Sequence, residues 1–176
     1  MQVIGQSFSH LDAVINNAGV ANETHPVESS LTAKKADLMR CFEVNAVGPI
    51  LVTQRALPLL RASTHPMGPK VLFVSSNMGS ITSWVERGGG KGRTSYCTSK
   101  AALNMAVKTM VPEVPDVTMV MLHPGWVATD MGSAGGRNAP VAPEESAAQL
   151  LKYLERVSLA HTGKLYDAIA EQELPW

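Results

Sequence analysis

Short apolar runs separated by polar stretches divide the chain and predict the strands of a sheet. The runs fall at residues 11–16, 70–75 and 117–122, and a shorter one is at 164–167. Each is bounded by glycine, proline or polar residues, and a continuous run between such boundaries is typical of a strand that is buried on both faces. The sequence therefore predicts a sheet with both faces covered.

Helical periodicity fills the intervals between these runs. Apolar residues recur at helical spacing in 31–63, 95–111 and 143–159. Gly48 and Pro49 are expected to bend the first helix. The third begins with Pro143 followed by two glutamates, which suits proline and acidic residues in a first helical turn. Strands that alternate with helices at this pace predict an α/β fold, a Rossmann-like doubly wound parallel sheet with helices on both faces.

Length and composition indicate one globular unit. The chain has 176 residues, of which 45% are hydrophobic and 17% charged, so we expect a single α/β domain over residues 1–176. Fifteen basic and fifteen acidic residues balance, which argues against nucleic acid or a membrane surface as the partner. Cys41, Cys97 and the scattered histidines show no metal-ligand spacing, so no metal is expected. Because neither a membrane span nor a signal pattern is evident, we expect a cytoplasmic protein with a small-molecule partner.

Tyr96 and Lys100 provide the first candidate chemistry. They are four residues apart in the second predicted helix, so their side chains lie on one face. A phenol with an ordinary pKa of about 10 is protonated at neutral pH, and a nearby ammonium group lowers that pKa. The pair therefore predicts an acid and base that exchanges a proton with an alcohol or carbonyl oxygen, although a tyrosine and a lysine at this spacing also arise by chance.

Three further polar motifs follow apolar runs, at the strand ends where doubly wound sheets bind ligands. They are Asn16-Asn17-Ala18-Gly19, Ser75-Ser76-Asn77-Met78-Gly79 and His123-Pro124-Gly125-Trp126-Val127-Ala128-Thr129-Asp130, and Asn45 lies within the first predicted helix. Each has a plainer interpretation from the residues alone. The motifs at residues 16–19 and 123–130 suit turns, Ser76 suits the polar end of a strand, and Asn45 suits an exposed or locally bonded helix position.

Taken together, the motifs resemble those of the short-chain dehydrogenase/reductase family. Within it, Tyr-x-x-Ser-Lys-Ala-Ala-Leu-Asn, His-Pro-Gly-Trp-Val-x-Thr-Asp-Met and the final Leu-Pro-Trp are similar to the small carbonyl reductases of the C-factor and sniffer type. The resemblance extends from about residue 11 to residue 176. It implies a cofactor-dependent oxidoreductase that reduces a carbonyl group or oxidises the corresponding alcohol.

The resemblance also implies a role for each motif. Tyr96 would exchange the proton and Ser76 would hold the carbonyl oxygen. Lys100 would lower the pKa of Tyr96 and bond the cofactor ribose, and Asn45 would hold a water that connects Lys100 to solvent. The implied cofactor-binding residues are Asn17, Ala18, Gly19, Tyr96, Lys100, Pro124, Gly125, Val127 and Thr129. NADP(H) is favoured over NAD(H) by this resemblance, and the substrate would be a small carbonyl or alcohol.

The front of the chain departs from the family pattern. The glycine-rich phosphate turn after a first strand, and the ribose-recognising residue after the next, have no match before residue 11. We therefore expect the C-terminal, catalytic portion of the fold only, an N-terminally truncated domain that binds a nicotinamide dinucleotide poorly by itself. Three interpretations stay open: an NADP-dependent carbonyl reductase represented by an incomplete chain, a truncated non-catalytic product that acts as an interaction partner, and a different ligand-binding α/β domain. A homo-oligomer is a candidate assembly.

Two long loops are predicted beside these motifs. Residues 76–94 form the first, and the glycine run before Lys91 lacks the Ser or Thr of a phosphate-binding loop, so it is interpreted as a flexible segment. Residues 124–143 form the second, and the family resemblance implies that its segment 131–141 is a mobile lid over the substrate.

Overall fold

A five-stranded sheet forms the centre of the protein. The computed structural model describes residues 2–22, 28–86 and 92–176. The strands lie in the order β1 (Ala13–Asn16), β2 (Lys70–Val74), β3 (Thr118–His123), β4 (Leu165–Asp167) and β5 (Gln172–Leu174). Strands β1 to β4 are parallel, and β5 is antiparallel to β4. The predicted parallel α/β sheet is therefore confirmed, and its four predicted strands are present with slightly shifted boundaries.

Strand β5 was not predicted, and a side-chain-supported turn produces it. The Asp167 carboxylate accepts hydrogen bonds from the backbone N–H groups of Ile169 and Ala170, both at 2.9 Å. Glu171 then has a positive φ of 52°, which reverses the chain. Because β5 is three residues long and mostly exposed, its sequence lacks the apolar run that indicates a buried strand.

Seven α-helices accompany the sheet in the described part of the chain. They are α1 (Gln2–Ser7), α2 (Lys35–Phe42), α3 (Gly48–Arg61), α4 (Ile81–Glu86), α5 (Thr94–Met110), α6 (Asp130–Ser133) and α7 (Pro143–Arg156). The short helices α4 and α6 lie within the two segments predicted to be loops. Residues 87–91, which include the glycine run, lie outside the described residues.

The expected irregularity near Gly48 and Pro49 is a π-helical turn. Residues Glu43–Val47 are π-helical and connect α2 to α3, and the Gly48 N–H donates to the carbonyl oxygen of Glu43. Proline has no N–H, and its ring crowds the carbonyl four residues earlier, so a regular α-helical turn is disfavoured here. The widened turn carries Asn45, which faces the interior and is fully buried.

The sheet separates two apolar cores because successive strand residues face opposite sides. In β2, Val71 and Phe73 belong to the core formed with α3 and α5, whereas Leu72 and Val74 belong to the core formed with α7. Strand β3 alternates in the same way, with Met119 and Met121 on the first side and Val120 and Leu122 on the second. These cores fix the carboxyl ends of β1, β2 and β3 at one edge of the sheet.

Candidate active site

A cleft of about 890 Å³ lies at the carboxyl ends of β1, β2 and β3. Its walls come from the loop after each of these strands, the start of α5, and helices α4, α6 and α7. Most of the candidate residues line it together: Asn17, Gly19, Ser76, Tyr96, Lys100, Pro124, Gly125, Val127 and Thr129. Ala18 and Asn45 are not among the lining residues.

Helix α5 places Tyr96 and Lys100 in this cleft from its first two turns. Lys100 is buried, and its ammonium donates a 2.7 Å hydrogen bond to the Val74 carbonyl oxygen at the end of β2. The same nitrogen lies 5.8 Å from the centroid of the Tyr96 ring. The helical spacing therefore brings both side chains into one site, with the lysine held by a strand carbonyl.

Burial controls the protonation of both groups. It raises the pKa of Tyr96 to about 12, and the neighbouring Ser76 side chain opposes that rise. It lowers the pKa of Lys100 to about 8, because the charged ammonium loses hydration. The expected lowering of the Tyr96 pKa by Lys100 is not found in this structure, since the ammonium is bonded to Val74 and does not contribute to the Tyr96 shift.

Ser76 and Ser75 face different surroundings at the end of β2. The Ser75 hydroxyl donates to the side-chain oxygen of Asn104 in α5 at 2.6 Å, away from the phenol. The Ser76 hydroxyl accepts from the Met78 N–H at 3.1 Å, and its side chain is close enough to Tyr96 to oppose the rise of the phenol's pKa. Of the two serines, Ser76 is thus the one beside the tyrosine.

A close contact of backbones fixes this arrangement. Gly79 ends the short turn after Ser76, and a Cβ added to it would lie 2.8 Å from the Lys100 carbonyl carbon. Only glycine therefore lets the Ser76 turn approach α5 so closely. The distance between the Ser76 and Tyr96 hydroxyls depends on this packing.

Asn45 connects three segments beneath the cleft. Its side-chain oxygen accepts from the Val20 N–H at 2.8 Å, and its side-chain nitrogen donates to the Val20 carbonyl at 2.8 Å and to the Ser99 hydroxyl at 2.9 Å. Ser99 in turn donates to the Tyr96 carbonyl oxygen at 2.7 Å. Asn45 thus fastens the loop after β1 to the turn of α5 that carries the tyrosine.

Glu28 is a site residue that the sequence analysis missed. Its carboxylate is buried and accepts hydrogen bonds from the hydroxyl and the N–H of Ser95, directly before Tyr96. A carboxylate at the first turn of a helix accepts otherwise unpaired N–H groups and interacts favourably with the helix dipole. Sequence gave no signal for this contact, because the two residues are 67 positions apart.

The loop after β3 supplies the residues implied for the nicotinamide end of a cofactor. Gly125 has a φ of 85°, and a Cβ there would lie 2.7 Å from Ile169, so this turn requires glycine. The Thr129 hydroxyl accepts from the Gly132 N–H at 3.2 Å and caps α6. On the opposite wall, Gly19 leaves room beside Lys100, whose Nζ would be 3.6 Å from an added Cβ. The small and turn-forming residues thus keep the cleft open where a dinucleotide would enter.

The mouth of the cleft contains further residues that the motifs did not indicate. Trp84 reaches it from α4, Trp126 follows the Gly125 turn, and Met131 and Arg137 come from α6 and the segment after it. The Trp126 indole N–H donates to the Gly132 carbonyl at 2.9 Å.

Helix α4 is also bonded to the end of the chain. The Thr82 N–H donates to the Trp176 carbonyl oxygen at 2.8 Å, and the Lys108 ammonium lies 5.4 Å from the Trp176 ring. The final residues therefore lie between α4 and α5 and support the segment that carries Trp84.

The described residues form neither a metal site nor a membrane-spanning helix. Within residues 2–22, 28–86 and 92–176, no group of histidine, cysteine and acidic side chains is arranged to hold a metal ion. In the same part of the chain, none of the helices combines the length and apolar character needed to cross a membrane.

The mostly parallel sheet and its helices form a Rossmann-like α/β fold. Residues 1–139 match the family model described as short chain dehydrogenase. The chain belongs to the short-chain dehydrogenase family, and this confirms the resemblance inferred from its motifs.

Two curated relatives differ in how much of their length the chain spans. A Myxococcus xanthus protein named C-signal is 36% identical over 168 residues, which cover 94% of this chain and 93% of that protein. Short-chain dehydrogenase srdF of Neurospora crassa is 31% identical over 183 residues, which cover 97% of this chain and 67% of srdF.

Solved carbonyl reductases share the fold. NADPH-bound carbonyl reductase from chicken fatty liver superposes with a TM-score of 0.85 at 28% identity and is matched over 99% of this chain and 70% of its own. The Drosophila melanogaster carbonyl reductase Sniffer gives a TM-score of 0.84 at 29% identity, over 99% of this chain and 71% of its own.

Proposed function

We propose that this protein is an NADP-dependent carbonyl reductase in which Tyr96 is the general acid. The observation that carries the proposal is that the Ser76, Tyr96 and Lys100 side chains line one cleft, where Ser76 is close enough to Tyr96 to affect the pKa of its phenol. Family membership supports oxidoreductase chemistry on a small molecule. The NADPH-bound chicken enzyme supports NADP(H) over NAD(H).

The protonation state of the site favours reduction. With a pKa of about 12, Tyr96 carries its proton at neutral pH, which is the form that a general acid requires for protonating a carbonyl oxygen. Ser76 would hold the same oxygen by a second hydrogen bond. Lys100 keeps its positive charge below its pKa of about 8 and would bond the cofactor ribose.

The cofactor would bind along the walls already described. Asn17, Gly19, Lys100, Pro124 and Thr129 would hold its nicotinamide end, and Asn45 would keep the Gly19 loop in place through Val20. When bound, the cofactor would supply the hydride that the carbonyl carbon accepts. The relay water at Asn45 is part of this proposal. Three hydrogen bonds to protein groups already engage the Asn45 amide.

The test combines binding with turnover. Because the chain is expected to bind the dinucleotide poorly by itself, it is titrated by calorimetry up to millimolar NADPH. NADPH oxidation is then followed with an aromatic aldehyde. Tyr96→Phe should leave NADPH binding intact and lower turnover at least about a hundredfold, because general acid catalysis contributes this much or more. Tyr166→Phe, outside the cleft on β4, is the matched control. A Tyr96→Phe variant that kept most of its turnover would show that another group donates the proton.

A non-catalytic interaction partner is the second candidate, and an exposed strand edge favours it. Strand β1 is at the end of the sheet among the described residues and pairs there only with β2. Its Ile15 is 42% exposed, and an edge with an apolar side chain is able to pair with another chain. Absence of NADPH binding, together with self-association in analytical ultracentrifugation, would favour this candidate.

A further inference from the structure

Positive charge is concentrated in the cleft. Arg93, Lys100 and Arg137 all line it, and the part of the lining formed by the described residues contains no aspartate or glutamate. Clefts lined by one sign of charge with low-dielectric walls concentrate ligands of the opposite charge. The described walls of this cleft therefore favour a ligand that carries negative charge.

Arg137 is the cation best placed to receive that charge. Lys100 already donates a hydrogen bond to the Val74 carbonyl oxygen. Arg137 donates from Nε to the Ala134 carbonyl at 2.7 Å and from Nη2 to the Met131 carbonyl at 2.9 Å. Both acceptors are neutral, and the ion pairs found among the described residues do not include Arg137. Its guanidinium is therefore oriented without being neutralised.

Aromatic and apolar surface lies beside this guanidinium. Trp126 is bonded to the Gly132 carbonyl, and Arg137 to the carbonyl of the preceding residue, Met131, so the indole and the guanidinium are attached to adjacent peptide groups. Trp84 and Met78 line the same cleft from α4 and from the turn after Ser76. The site thus combines a fixed cation with surfaces that accept an apolar or aromatic body.

We propose that Arg137 binds a carboxylate of the substrate, and that the substrate class is an apolar keto acid or aldehyde acid. A guanidinium forms two parallel hydrogen bonds with a carboxylate, which gives both affinity and orientation. The carbonyl half of this assignment rests on the proposed reductase function, whereas recognition of the carboxylate by Arg137 does not. The other source of a matching anion is a phosphate of the cofactor.

The test measures binding of a matched pair of ligands without cofactor. Benzoylpropionic acid and its neutral methyl ester are titrated into the full chain, with calorimetry and tryptophan fluorescence as readouts, since Trp84 and Trp126 line the cleft. The acid should bind at least about tenfold more tightly than the ester, because a charge-assisted hydrogen bond contributes about 1.5 to 3 kcal/mol. Arg137→Gln should remove this preference, and Arg137→Lys should retain part of it. Arg55→Gln, on the exposed surface of α3, should behave as the wild type.

Two results would overturn the assignment. The first is equal affinity for acid and ester, or no saturable binding of the acid. The second is an acid preference that Arg137→Gln leaves unchanged. If that variant also loses affinity for inorganic pyrophosphate, Arg137 would be assigned to a cofactor phosphate. Because none of these measurements needs turnover, failure of the reductase proposal would be seen separately.

Discussion

Replacing Lys100 by methionine should change how stability depends on pH. Lys100 is 3% exposed, and burial lowers its pKa from 10.5 to about 8. Between these two values the unfolded chain binds a proton that the folded chain does not, so the free energy of unfolding rises with pH. Over about pH 7 to pH 10 this one group should add about 2.5 kcal/mol to the stability of the wild type. Methionine does not titrate, so the variant should lack that increase.

The difference between the two pH profiles is the informative quantity. At neutral pH the substitution removes a buried charge but leaves the Val74 carbonyl without its donor, and these effects oppose each other. Urea denaturation followed by circular dichroism at several pH values gives both profiles. Lys152→Met, at an exposed position on α7, is the control and should follow the wild type. Parallel profiles for wild type and Lys100→Met would refute the claim that Lys100 folds with a lowered pKa.

Two further predictions concern the contacts that hold the site. Gly79→Ala places a Cβ 2.8 Å from the Lys100 carbonyl carbon and should lower the free energy of unfolding by about 1 to 3 kcal/mol. Gly48→Ala is the control, because its Cβ meets only the Glu43 carbonyl oxygen at 3.5 Å, and it should be neutral or slightly stabilising. Thermal melts compare the two variants, and equal losses of stability would contradict the steric argument. Glu28→Gln keeps the side-chain volume but removes the charge at the start of α5, so stability should fall by about 1 to 2 kcal/mol in urea melts. An unchanged midpoint would show that the charge does not hold this helix.

Sequence was most informative where local pattern and tertiary structure agree. Continuous apolar runs identified β1 to β4, most clearly β2 and β3, in which every residue is buried. The α5 pair followed from helical spacing. An irregularity at Gly48 and Pro49 was also foreseeable, since a proline inside a helix removes a hydrogen bond and crowds the carbonyl four residues earlier.

What sequence did not reveal depends on packing between distant segments. The contact of Glu28 with Ser95 and the bonds of Asn45 to Val20 join residues far apart in the chain, and no local periodicity marks them. The Tyr96 pKa was expected to fall because a lysine is near, but burial has the larger effect in the folded site and the lysine faces Val74. Helices α4 and α6 are too short for a periodic signal.

Because Trp176 is hydrogen-bonded to Thr82, two segments that are encoded far apart in the gene together determine the shape of the cleft mouth. Trp84 lines the cleft, yet its helix is anchored to a residue that does not line it. Mutagenesis confined to the cleft walls would therefore omit one of the supports that position Trp84. Substitutions in the last codons are therefore a further route to a changed substrate preference, even though the residues that they encode lie behind α4.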